Sequence, residues 1–110
     1  MNYRHKTLAA GRWEKFSLFE QMANVGSEVE RALNWKAKNN DSYSQKAFER
    51  ALELIDLTIK DKKHIQHLNE FTRMREALVD YFIGSNEYKS SESSWRKYFY
   101  SFIYAARKSY

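Results

Sequence analysis

The stretch from His64 to Phe82 sets the strongest condition on how this chain can fold. Wound as a helix at 100° per residue, it puts Leu68, Phe71, Leu78, Val79 and Phe82 on one side. Asn69, Glu70, Arg73, Glu76 and Asp80 take the other side. Arg75 falls in the middle of the apolar stripe. A guanidinium there is costly unless a carboxylate meets it. The pattern therefore predicts an acidic partner on another helix. Glu28 and Asp56 are the candidates, giving a buried polar centre of Arg75, Glu28 and Asp56.

The rest of the chain suits helices as well. It has no proline and three glycines in 110 residues, and it is rich in Glu, Lys, Arg, Ala and Leu. That length makes one domain with one core. A hydrophobic content of 43% and an aromatic content of 16% exclude a disordered chain. With no cysteine, neither disulfides nor thiolate chemistry is available, which fits a reducing cytoplasm. No apolar run is long enough for a signal peptide or a membrane span.

Residues 1–16 lack a clear period and read as a basic arm, with Trp13 and Phe16 anchoring its end to a bundle formed by residues 17–110. Ser17 and Glu20 have capping-box spacing, so a first helix runs from about Leu18 to about Lys38. Its apolar arc is Leu18, Met22, Val25, Val29, Ala32 and Leu33, with Gln21 and Glu28 inside it or at its edge. Gly26 lies beside the arc, where a missing side chain lets another helix come close. After a turn at 39–42, Ser42 and Gln45 again have capping-box spacing. The second helix runs from about Tyr43 to about Lys60 on a stripe of Phe48, Ala51, Leu52, Ile55 and Ile59. Leu54 and Leu57 widen that stripe, which leaves Leu57 exposed or in a subunit interface.

Asp61-Lys62-Lys63 is a short polar break. The third helix then follows and stops at Gly84 as a C-cap. Ser90 or Ser91 caps a fourth helix over about 92–108, whose core stripe is Trp95, Phe99, Phe102, Ile103 and Ala106. The expectation is an all-α, up-and-down four-helix bundle with a basic N-terminal arm.

Charge is uneven. The formal net charge is +5; residues 1–16 carry +3, residues 90–110 carry +3, and the middle carries −1. Both ends being basic favours an anionic partner. On the fourth helix Arg96, Lys97, Tyr100, Tyr104, Arg107 and Lys108 share an arc of roughly 120°. Cations interleaved with aromatic rings suit a phosphate backbone with stackable bases, so these six are the candidate RNA- or DNA-binding residues. The plainer alternative is a solvated face with half-buried tyrosines. His64, His67 and Glu70 are spread round their helix and make no metal site. No phosphate loop or nucleophile–base pair is apparent, and no cofactor is implied.

Two sets of residues carry resemblances. The runs 21–32, 47–58 and 81–88 resemble a group of small prokaryotic hypothetical proteins, which implies no activity. Met74-Arg75-Glu76-Ala77-Leu78-Val79-Asp80-Tyr81 is similar to the signature of HEPN domains, helical partners of nucleotidyltransferases and toxin ribonucleases. Arg75 matches that family's Arg, Glu76 takes its polar place, and Asp80 stands where its His belongs. In size, helix count and charge the chain also resembles the four-helix proteins of ribosomal-RNA intervening sequences and the accessory proteins of diversity-generating retroelements. Those resemblances imply oligomeric rings and nucleic-acid binding.

Three readings follow. The first is a non-enzymatic accessory protein that binds RNA or DNA through the fourth helix and the arm, and self-associates through the second or fourth helix. The second is a HEPN-like ribonuclease or nucleotidyltransferase partner. The third is a protein-interaction module using Leu57.

Overall fold

The computed structural model describes residues 11–108. Four helices, α1 (Leu18–Ala37), α2 (Asp41–Lys60), α3 (Leu68–Phe82) and α4 (Glu92–Lys108), follow a short 3-10 turn at Trp13–Lys15, and a second 3-10 segment, Lys62–His67, separates α2 from α3. The fold is all-α, with no strand among the described residues. Arg4, Lys6 and the rest of the arm before Gly11 lie outside them.

Side-chain pairs give the topology. Ser44 donates to the Ala32 carbonyl and Arg50 reaches Glu28, so α2 runs antiparallel to α1. Phe48 stacks on Phe82 while Asp56 meets Arg75, which reverses α3 against α2. Arg96 reaches Glu30 while Phe99 lies against Gly26, so α4 returns antiparallel to α1. Tyr98 ties α4 to α3 by donating to Glu70 at 3.3 Å. The result is an up-and-down four-helix bundle with α1 at its centre, packed on α2 on one side and α4 on the other.

Local chemistry explains most boundaries. Ser17 and Glu20 form the full capping box, each accepting from the other's backbone N–H. At α2 the cap is Asn40, whose side chain accepts from Tyr43 N, rather than Ser42, so the helix starts at Asp41. Asn39 at φ 60° turns the chain before it, a conformation its short amide side chain tolerates. Ser91 and Ser94 cap α4 reciprocally.

Three expectations are corrected. The helix predicted from His64 begins only at Leu68, because Asp61 caps the 3-10 segment through Lys63 N and His64 adopts non-helical φ/ψ of −107° and 19°. The buried stripe of α3 is Phe71, Met74 and Leu78, and Arg75 sits about 70° round the helix from its middle. Leu57 is partly buried against the core rather than exposed. At the other end of α3 the C-cap is Ile83, and Gly84 follows it.

The core holds Met22, Val25, Val29, Phe48, Ile55, Phe71, Leu78, Trp95 and Phe99. Trp13 belongs to it too, only 2% exposed, so the packed domain starts before residue 17. Its indole N–H donates to Thr58 and its carbonyl accepts from Gln21.

Candidate nucleic-acid interface and polar centres

Helix α4 presents two faces. Trp95, Phe99 and Ala106 point inward and are buried, while Tyr100 and Tyr104 are 65% and 57% exposed. Lys97, Arg107 and Lys108 are exposed on the same outer side. Among the described residues none of these three cations has a carboxylate partner within ion-pair distance. The Lys108 ammonium lies 6.0 Å from the centre of the Tyr104 ring.

Arg96 behaves differently. Its guanidinium donates to Glu30 at 3.1 Å, to Asn34 at 2.8 Å and to Glu92 at 2.8 Å. Its donors are used in fastening α4 to α1. Of the six residues expected to meet nucleic acid, five share one outer face, and Arg96 lies at its edge bonded to α1.

The antiparallel topology brings the start of α1 and the end of α4 to one end of the bundle. Arg12 and Lys15, both exposed, therefore share an end with Arg107 and Lys108.

Beside the outer face, α1 and α4 leave a groove of about 300 Å³ between them. Gly26, Val29 and Leu33 line it from α1, and Phe99, Tyr100 and Ile103 from α4. Tyr100 borders both groove and face. Its walls are apolar. Lys97 and the Glu30–Arg96 pair border it.

The expected polar centre divides into two sites. Arg75 donates to Asp56 through Nε at 2.8 Å and Nη2 at 3.4 Å. These side chains are 36% and 27% exposed, so the pair lies on the bundle's flank. Glu28 is elsewhere: its buried carboxylate accepts from Arg31 and Arg50 at 2.9 and 3.0 Å. Arg75 thus meets one of its two candidate partners. Asp80, in the place of the HEPN histidine, accepts from Glu87 N and Tyr88 N and folds down the loop before α4. Arg75 and Asp80, two of the three matched positions of the partial motif, are thus engaged in contacts within the fold.

A buried polar network at the arm end was not anticipated. Gln21 is fully buried; its amide donates to the Trp13 carbonyl at 2.8 Å and to Asp61 at 3.0 Å. His64 Nε2 lies 2.7 Å from Gln21 Oε1, so the ring donates there as the Nε2-protonated tautomer. Lys63 pairs with Asp61 at 2.8 Å and also donates to the Glu14 carbonyl. Burial pushes the Asp61 carboxyl up, but hydrogen bonds from Lys63 and Gln21 outweigh it and hold the group below its ordinary range. Burial lowers His64 as well, and the opposing pull of Asp61 does not cancel it. The sequence signal was Gln21 inside an apolar arc, which needs buried partners. Its side-chain partners, Asp61 and His64, are 40 and 43 residues away, beyond any local pattern.

A second cation–aromatic cluster sits at the α1–α2 turn. Trp35 and Tyr43 meet edge to face at 4.9 Å, with Lys38 over Trp35 and Lys46 over Tyr43. Lys36 stands 4.2 Å from the Tyr81 ring centre.

Among the described residues no helix is long and apolar enough to cross a membrane, and no cluster of His, Asp or Glu could hold a metal ion. Compared with protein-family models, curated proteins and solved structures, the chain matches none.

Proposed function

We propose that this chain is a non-enzymatic accessory protein that binds RNA or DNA on the outer face of α4. The observation that carries the reading is the set Lys97, Arg107 and Lys108, without carboxylate partners among the described residues and beside two exposed tyrosines. Each unpaired cation can replace a condensed counterion on a phosphate, and each ring offers a stacking surface. Arg12 and Lys15 at the same end extend the positive surface toward the arm. Such a partner fits a cytoplasmic protein.

The test is fluorescence anisotropy with single-stranded RNA and DNA. Wild-type protein binds at low salt, and Lys97→Glu/Arg107→Glu/Lys108→Glu abolishes binding with the helical circular-dichroism signal kept. Equal binding by the triple variant removes the proposal. Arg96 is left intact because it bonds Glu30 and Asn34 of α1, so reversing it would disturb the helix contact as well as the charge.

Self-association belongs to the same proposal, with exposed Ile65 and Leu68 as its apolar surface in place of Leu57. A larger wild-type mass that falls to the monomer in Ile65→Glu supports it. A monomeric wild type removes it.

A further inference from the structure

We propose that the α1–α4 groove receives an unstacked base from a single-stranded nucleic acid whose phosphates lie along the outer face of α4. This inference rests on the nucleic-acid reading above and goes further, since it names single strands as the target. The groove begins where the charged face ends. Lys97 and Tyr100 border it, so a strand held by Lys97, Arg107 and Lys108 passes directly beside it.

Size and chemistry fit a base. About 300 Å³ is at the small end of ligand pockets and admits a planar heterocycle rather than a folded segment. Val29, Leu33, Phe99 and Ile103 offer apolar contact to a ring, and the largely exposed Tyr100 can close over its outer face. Bases paired in a duplex keep their faces stacked on their neighbours and cannot enter.

The walls also indicate what the groove does not read. The Trp95 indole N–H is buried without a partner and out of solvent's reach, so it is not offered to a guest. Glu30 at the border accepts from Arg96, which also pairs with Glu92. Most of the lining side chains are apolar, so recognition rests on stacking and shape, and the groove accepts bases with little regard to sequence.

Charge argues against a second copy of this chain as the occupant. A two-fold contact through this face would set Lys97, Arg107 and Lys108 against their own copies.

The experiment compares three labelled probes of about 12 nucleotides: a single strand, its abasic counterpart with the same phosphates, and a duplex. The expected result is that the single strand binds about ten- to a hundredfold tighter than the abasic strand. Ile103→Trp, which fills the groove, removes most of the single strand's advantage over the abasic strand. It leaves abasic binding unchanged, and a melting curve confirms that the variant folds. Equal binding of the single and abasic strands overturns the groove assignment while leaving the charged face standing. So does an Ile103→Trp variant that folds and binds as wild type. An Ile103→Trp variant that loses a wild-type dimer shows the groove to be a self-contact, which also overturns it. Failure of all three probes to bind sinks the nucleic-acid reading itself.

Discussion

Gly26 and Phe99 meet so closely that no side chain fits between them: a Cβ built on Gly26 would lie 2.8 Å from the Phe99 Cβ. The obstacle is the root of a side chain on a packed helix, not a mobile tip. Alanine at this site gains helix propensity of up to about 1 kcal/mol, but overpacking costs about 1–3 kcal/mol. Gly26→Ala is therefore expected to destabilise the fold by about 1–2 kcal/mol. Chemical denaturation checks this, and an unchanged or raised midpoint would contradict the close α1–α4 contact.

Two buried tryptophans differ in one hydrogen bond. Trp13 donates to Thr58, whereas the Trp95 N–H has no acceptor among the described residues. Replacing either with Phe removes similar volume, but only Trp13→Phe breaks a made bond. It should cost about 1–2 kcal/mol more than Trp95→Phe. Equal losses would contradict the pairing.

The Arg75–Asp56 and Glu28 sites separate exposed from buried electrostatics. Arg75 and Asp56 are partly open to solvent, so Arg75→Ala should cost no more than about 1 kcal/mol. Glu28 is buried under two arginines, and Glu28→Ala should cost more. Denaturation midpoints rank the two, and a reversed order would contradict the assigned burial.

The Gln21–Asp61–His64 network makes stability depend on pH. The folded chain holds His64 below its ordinary 6.5 and Asp61 below its ordinary 3.8. A group depressed in the folded state contributes stability that is fully present above its unfolded value and is lost as pH falls through its folded value. The His64 contribution is therefore complete above about pH 6.5 and declines below it; the Asp61 contribution declines only below about pH 3.8. Unfolding midpoints measured from about pH 8 to pH 5 should fall on the acid side, and NMR should place His64 below its ordinary value. A His64 that titrates at or above that value would contradict the network.

Local chemistry was legible where it decided the structure. Ser17 and Glu20 announced the start of α1, and the Trp95–Phe99–Ala106 spacing oriented α4 with its cations outward. Gly26 signalled a close approach before its neighbour Phe99 was known. Periodicity failed at His64–His67, because a 3-10 segment carries the same apolar and basic residues as a helix while turning differently. Separately, Met74 is buried while Leu68 is exposed and Val79 and Phe82 are partly buried, which turns the α3 stripe away from Arg75. The acid that would meet Arg75 was narrowed to two, but spacing could not choose between them; the antiparallel register of α2 and α3 does. The role of Arg96 was hidden for the same reason. Its charge was visible, but Glu30 and Asn34, some 60 residues earlier, are what remove it from the free face.

The central claim is that three exposed cations on α4 bind phosphates, and the salt dependence of binding tests it most directly. Affinity for a single-stranded oligonucleotide should fall with a log–log slope of about −2, the value for three neutralised phosphates. Lys97→Gln should weaken that slope by about 0.7. A salt-independent affinity, or a slope unchanged in Lys97→Gln, would contradict it.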